Sequence, residues 1–407
     1  PEFYKGKRSG KIIVDGDEMA SGKIYELVGR MGTVFQNPRS QFFNVDTTSE
    51  IAFGCENLAI PEKEIFSRME KTVSDFAIES LMDRSIFELS GGEKQKISCA
   101  SVDVLGARII LLDEPSANLD YESAEKLRHI MRCWKQEGKT IVIAEHRVNY
   151  IWDFCDKVLV MDRGTLLKEL SCEEASVFSD REGEVFHIRS LVRRSPLDMV
   201  KHGEMKGSEV IRFEGFRYEY EKGKPVVSVS GLEIPAHQVT ALVGSNGAGK
   251  TTFLELVCGI RKSRGIMYFH GRPYHGKEQI KTVFMVMQDV NHQLFTESVL
   301  DEVLISQRME DEKKAKRILQ DVGLLEVADR HPMSLSGGQK QRLALACAIA
   351  SEREILLLYE PTSGLDLESM VRVADILKAL KKDGRTILTV THDSEFIEKC
   401  CDAVVRL

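Results

Sequence analysis

The sequence predicts an α/β protein built from two copies of one unit, and three observations carry that expectation. Short apolar runs at residues 109–112 and 140–144 read as strands buried on both faces of a parallel sheet. Helical periodicity over 122–135 lies between them, and strands alternating with helices imply layers around a sheet. The same order of motifs then recurs at an offset of 246 residues, in a chain of 407. A length of that size already suggests more than one domain.

Taken in order, the first copy runs from residue 1 to about 165, with further strands at 11–14 and 32–35. It contains Leu89-Ser90-Gly91-Gly92-Glu93, then Asp113-Glu114-Pro115, then Glu145-His146-Arg147. Residues 166–208 are polar, mixed in charge and poor in periodicity, so they read as a connector, partly structured around 185–191. The second copy covers 209–407, opening with a strand pair at 209–216 and 226–234. A strand at 238–243 leads into Gly244-Ser245-Asn246-Gly247-Ala248-Gly249-Lys250-Thr251-Thr252, followed by a helix over 251–258. Leu335-Ser336-Gly337-Gly338-Gln339, Tyr359-Glu360-Pro361 and Thr391-His392-Asp393 repeat the earlier motifs, and 403–406 is the last strand. Ser90 to Glu114 and Ser336 to Glu360 are both 24 positions, and Glu114 to His146 and Glu360 to His392 are both 32.

Composition excludes several classes. A net charge of -7 with no long basic block argues against a nucleic-acid partner bound through a broad positive face. Nine cysteines without a C-x-x-C pair fit a reducing compartment better than a disulfide framework or a zinc site. No apolar stretch approaches the roughly 20 residues of a membrane-spanning helix, and the first residues do not read as a signal peptide.

Residues Gly244 to Thr251 fit G-x-x-x-x-G-K-[ST] between a strand and a helix, the context that the motif requires. Glycines let successive N–H groups wrap an anion, and the helix N-terminus adds positive potential. Lys250 is expected to reach the β- and γ-phosphates of a nucleotide, and the Thr251 hydroxyl to ligate Mg²⁺. Each strand ending before Pro115 or Pro361 delivers its last side chains to the sheet edge where ligands bind. There Asp113 is expected to hold Mg²⁺ through water, and Glu114 and Glu360 to polarise an attacking water. Ser90-Gly91-Gly92 and Ser336-Gly337-Gly338 each precede a helix, so each makes a second anion-binding N-terminus.

This order of signature, acid-terminated strand and histidine resembles the ATP-binding cassette (ABC) ATPases over nearly the whole chain outside the connector. The resemblance implies two P-loop NTPase domains. Each has a RecA-like α/β core, an antiparallel β subdomain and an α-helical signature subdomain. It also implies that the cassettes pair head to tail, with ATP between the phosphate loop of one and the signature of the other. Gln36 and Gln288 then match glutamines that touch Mg²⁺ and the attacking water, and His146 and His392 match the switch histidines of the γ-phosphate. Tyr218 is the candidate adenine-stacking aromatic, with Phe216 and Tyr220 as rivals. Within the family, Val34 to Pro38 with Gln41-Phe42-Phe43 and Phe53 to Leu58 resemble the tandem ATPase of energy-coupling factor importers of vitamins and metal ions. Gln288 to Phe295 with Glu302-Val303 plays the same part in the second copy. The implied partners are a transmembrane coupling subunit and a substrate-binding membrane subunit, at the cytoplasmic face of the cell membrane. A soluble tandem cassette protein of translation or nucleic-acid metabolism is the competing expectation, and a degenerate nucleotide-binding pair a third.

Three departures stand out. Lys250 precedes Gln288 by 38 residues while only 35 precede Gln36, so the first copy is expected to lack its phosphate loop through truncation. Tyr359 stands where Asp113 stands in the first copy, and a neutral phenol cannot balance Mg²⁺ charge. Glu93 in place of Gln339 adds an acid near the expected γ-phosphate.

Overall fold

The structure, a computed structural model, describes residues 9–14, 16–18, 27, 29–117, 119–200 and 209–407. Two compact units form: Pro1–Pro115 with Lys126–Ala144, and Ser116–Glu125 with Glu145–Leu407. Each carries a parallel sheet, the α/β class that the sequence predicts.

In the first unit, Met31–Val34, Ile109–Asp113 and Thr140–Ala144 lie in that order as parallel strands. Gly32 is required by a close approach: a Cβ there would meet the Val102 side chain at 2.2 Å, because the helix Gly91–Val104 packs directly on this strand. The helices Thr47–Asn57 and Glu62–Asp75 complete the layer, the first capped by Asp46, whose side chain accepts from the Ser49 N–H at 2.8 Å. Trp134 is fully buried, packs edge-on to Phe76 with ring centres 5.9 Å apart, and donates its indole N–H to Asp103 at 2.8 Å. That bond satisfies the one polar atom of a large apolar side chain.

The second unit holds a five-stranded parallel sheet in the order Val283–Val286, Ile355–Tyr359, Thr386–Val390, Val239–Val243, Ala403–Arg406. Its central strands are buried along their length because helices cover both faces. The strand pair expected at 209–216 and 226–234 is instead four strands: Val210–Glu214, Phe216–Glu221, Lys224–Val229 and Leu232–Pro235. Gly215 and Gly231, at φ 60° and 77°, break the two runs, so Val210–Glu214 pairs with Leu232–Pro235 and Phe216–Glu221 with Lys224–Val229. Phe213, Phe216 and Phe253 meet with ring centres 5.1–6.2 Å apart, which locks the helix Lys250–Val257 against the antiparallel strands. Burying each such ring is worth about 1.5–3 kcal/mol. The helices Val299–Ser306, Glu312–Asp321 and Gly337–Ala350 share a separate apolar core around Leu319, Leu343 and Cys347.

The segment marked as a connector holds more regular structure than its polarity suggests. Thr165–Ser171 pairs antiparallel with Lys157–Asp162, and Cys172–Val177 and Asp180–Val185 are helices. Two capping boxes start them: Ser171 with Glu174 and Ser179 with Glu182. The S-x-x-E spacing was readable, but each helix is too short to show periodicity. None of the nine cysteines forms a disulfide. No helix among the described residues is long and apolar enough to cross a membrane.

Candidate nucleotide site

The strand Val239–Val243 ends at the glycine loop, and the loop ends at the helix Lys250–Val257. Gly249 caps that helix at φ 86°, and a Cβ on it would meet the Val226 carbonyl oxygen at 2.5 Å. Gly247 also has positive φ, at 82°, so the loop conformation selects glycine at both positions. Lys250 is 5% exposed and donates to the carbonyls of Gly244 and Ser245 at 2.7 and 2.9 Å. Burial pushes its pKa below the ordinary lysine value, and the carboxylates of Glu360 and Asp120 counter that in part. Thr252 accepts or donates a hydroxyl bond with Tyr220 at 3.2 Å. Tyr218 and Tyr220 pack edge-on, 5.1 Å between ring centres, and the Arg261 guanidinium lies over both. Tyr218 is half-buried and its hydroxyl accepts from Arg261 at 3.1 Å, whereas Tyr220 is exposed.

Glu360 follows the strand Ile355–Tyr359 and adopts φ 46°, a region that costs energy for a residue with a side chain. Its N–H donates to Val390 at 2.8 Å, which fastens it to the strand Thr386–Val390 and so to His392. One carboxylate oxygen accepts from the Thr391 hydroxyl and the His392 N–H, at 3.3 and 3.4 Å. The other, Oε1, is buried without a hydrogen-bond partner, 3.7 Å from His392 Nε2. Burial pushes the Glu360 pKa up to about 7, held from going higher by the Arg147 guanidinium and the His392 N–H. His392 is pushed down to about 4 by burial and by Lys250, with Asp120 opposing, so it is neutral at pH 7. Tyr359 is half-buried, and burial raises its phenol pKa above the ordinary value, with the Thr251 hydroxyl opposing. Gln288 is exposed beyond the strand Val283–Val286. Among the described residues no group of three or more His, Cys, Asp and Glu side chains is arranged to hold a metal ion.

In the first unit, Gln36 donates its side-chain amide to Glu114 at 2.7 Å, and Asp113 is exposed beside them. Glu114 repeats the backbone of Glu360, with φ 40° and an N–H that donates to Ala144 at 2.8 Å. Ser90 caps the helix Gly91–Val104 and Ser336 caps Gly337–Ala350, each in a capping box with the residue three positions on. The concern over Glu93 therefore changes. Its carboxylate accepts from the Ser90 N–H at 2.8 Å and lies 3.5 Å from Arg84, and Gln339 does the same capping work at Ser336. Burial would raise the Glu93 pKa, but those contacts hold it below the usual value.

His146 lies with the second unit, as do residues that the sequence did not single out. Asp120 is buried and caps its helix through the Ser123 N–H at 2.8 Å. The Ser363 hydroxyl donates to the Ala117 carbonyl at 2.6 Å, so matched segments of the two copies touch there. Arg147 donates to the Leu119 carbonyl at 3.2 Å and acts electrostatically on Glu360, His392 and Asp393. Arg147 was findable, since aligning the copies sets it against Asp393.

The family profile described as ABC transporter matches residues 3–117 and 227–363. A Treponema denticola protein with the provisional name ABC transporter ATP-binding protein is 40% identical over 415 residues, spanning 100% of this chain and 84% of its own length. A Bacillus subtilis (strain 168) protein, provisionally named HMP/thiamine import ATP-binding protein YkoD, is 31% identical over 437 residues, spanning 100% and 80%. Among solved structures, an assembly of ribosome-bound archaeal Pelota and ABCE1 matches with TM-score 0.67 at 22% identity, over 93% of this chain and 62% of that one. RNase-L Inhibitor matches with TM-score 0.62 at 23% identity, over 84% and 67%. Identities that low show a shared fold.

Proposed function

The chain belongs to the ABC transporter family as a tandem pair of ATP-binding, ATP-hydrolysing cassettes, and we propose that it energises a membrane importer of the energy-coupling factor type. The supporting observation is a loop built twice at an offset of 252 residues. In the first copy, the Gln41 side chain accepts from the Phe35 N–H at 3.2 Å, and Glu50 accepts from Phe43 and Asn44 at 2.9 and 2.8 Å. In the second, Gln293 accepts from Met287 at 3.2 Å, and buried Glu302 accepts from Phe295 and Thr296. Both loops hold out a phenylalanine, Phe43 at 77% and Phe295 at 73% exposure. Beside Phe295 lies a cavity of about 270 Å³ lined by Phe284, Leu294, Ile305 and Cys347 together with Glu302 and Arg353. An exposed aromatic over a partly apolar cleft, held by a buried carboxylate, suits a helix of a hydrophobic partner. That partner would be a transmembrane coupling subunit, itself joined to a substrate-binding membrane subunit, with the chain peripheral at the cytoplasmic face. The HMP/thiamine import of the Bacillus relative agrees with a vitamin-type solute.

The division we propose is a first cassette over 1–165, a connector over 166–208 and a second cassette over 209–407, with the cassettes paired head to tail. At the second cassette, the loop N–H groups and Lys250 bind the phosphates of ATP. Glu360 accepts the proton of the attacking water, its pKa of about 7 being close to the optimum for that task. Neutral His392 stands beside the same water. The side-chain oxygens of Thr251 and Gln288 are hard donors that fit Mg²⁺, although the neighbouring carboxylate is replaced by the Tyr359 phenol. A bound Mg²⁺ would neutralise phosphate charge. Tyr218 is the proposed adenine contact. Ser90 to Gly92 and Ser336 to Gly338 are the proposed γ-phosphate caps, and Gln36, Asp113, Glu114 and His146 the matching first-copy set.

Co-purification tests the reading. The chain is expected to leave the membrane fraction with a multi-spanning subunit, and Phe295→Asp to release it while ATP binding persists. Recovery with ribosomes instead would establish the competing translation reading, which the names of the structural neighbours raise and the net charge of -7 disfavours.

A further inference from the structure

Two loops must keep register at the second nucleotide site: the one leaving Glu360 and the one carrying His392. Arg189, in the segment joining the copies, sits between them. It is 3% exposed, and both carboxylate oxygens of Asp393 accept from its Nη2 at 2.6 Å. Its Nε donates to Glu395 at 2.7 Å and its Nη1 to the Leu365 carbonyl at 3.1 Å. Asp393 directly follows His392, and it also accepts from Thr362, two residues beyond Glu360, at 2.8 Å. One guanidinium therefore ties both loops to the joining segment. Arg194 with Glu398, and Met199 packed near Ile397, hold that segment along the same helix, Ser394–Cys400.

The first copy repeats this bond with a different donor. Leu119 is the counterpart of Leu365 at the offset of 246, and its carbonyl also accepts from a guanidinium, that of Arg147 at 3.2 Å. Arg147 occupies the position of Asp393. The first copy thus carries the clamp in its own switch loop, while the second has an acid there and imports the guanidinium from outside the cassette. We infer that Arg189 is a positioning residue for ATP hydrolysis at the Lys250 site, making the joining segment part of that site's working geometry. This rests on the reading of that site as hydrolytic.

The test measures ATP binding and single-turnover hydrolysis by the full chain and its variants, with thermal melts for folding. Arg189→Met is expected to lower the hydrolysis rate about tenfold or more, since small misplacements of catalytic groups have such effects. ATP affinity should change by less than about threefold, because Arg189 does not touch the phosphate loop. Arg189→Lys should recover part of the rate. Arg189→Met with Asp393→Arg, which installs the first copy's arrangement, should hydrolyse faster than Arg189→Met alone. A folded Arg189→Met chain at the parent rate, or a double variant no faster than it, overturns the inference. So does loss of fold in all three variants, which would assign Arg189 to stability alone. Parent turnover that survives Lys250→Ala overturns the reading of the site itself.

Discussion

In the first copy the switch loop Glu145-His146-Arg147 is held by its own side chains. Ser116 and Tyr150 donate to Glu145, and Arg147 donates to Leu119. In the second, Thr391-His392-Asp393 is tied down by Thr362 and by Arg189. The bond between loops is kept in both while its charges are exchanged. An acid at position 145 and a base at 147 answer to an uncharged residue at 391 and an acid at 393. The exchange has an electrostatic consequence. Arg147 bears on Glu360 and His392, whereas Asp393 is neutralised chiefly by Arg189 of the joining segment. Burial would push the Asp393 pKa up, but Arg189 and Arg147 outweigh it and hold it below the ordinary value.

The largest effect should come from breaking the second loop with the first loop's residue. Asp393→Arg alone buries two guanidinium groups face to face, and removing one side of a buried pair costs about 3–5 kcal/mol. Urea denaturation should show that loss, and an unchanged midpoint would mean that the pair is dispensable. Next, Glu360→Gln should slow hydrolysis about a hundredfold or more while ATP still binds. The same carboxyl sets the pH dependence. A pKa raised to about 7 means that the ionised acceptor is lost as pH falls through 7, so turnover should drop on that acid side. His392, already neutral above about 4, adds no step there. Arg147 counteracts the rise, as the His392 N–H and Lys250 do, while Asp393 adds to it; Arg147→Met should therefore move the drop to higher pH. A pH profile that does not move would remove Arg147 from the second site.

Tyr359→Asp restores the residue of the first copy and should strengthen Mg²⁺ dependence about tenfold through added ligand charge. Hydrolysis should quicken with it. Metal titration that is indifferent to the change would show the phenol to be harmless. The smallest effect belongs to Ser116→Ala, which leaves Glu145 with Tyr150 but one donor fewer. About 1 kcal/mol of stability should go, read as a shifted urea midpoint. A loss as large as that of Asp393→Arg would mean that the first loop is no more self-sufficient than the second.

Much of this was legible without coordinates, for reasons that differ by element. Thr140–Ala144 and Ala403–Arg406 could be bounded to the residue because each is a short, largely apolar run, but Thr140–Ala144, expected to be buried on both faces, is exposed and half-buried in alternation. The strand pair at the start of the second copy was misread because Gly215 and Gly231 interrupt runs whose apolar pattern continues through them. Capping boxes at Ser171 and Ser179 were visible but lacked a periodic stretch to confirm them. Lys250, Glu360 and His392 could be nominated from spacing because a loop, a strand end and a second strand end place side chains at one sheet edge. Asp120 and Arg147 were visible only as residues without a role.

By itself the sequence determined the α/β class, the duplication and the residue types at each sheet edge. Those follow from local periodicity and fixed spacing, which any one chain carries. Tertiary structure alone decided that Arg189, 204 positions from Asp393, supplies its countercharge. It also decided that burial lifts Glu360 to about 7. A pKa and an ion pair depend on which groups share a water-poor space, and that is settled only when distant segments pack.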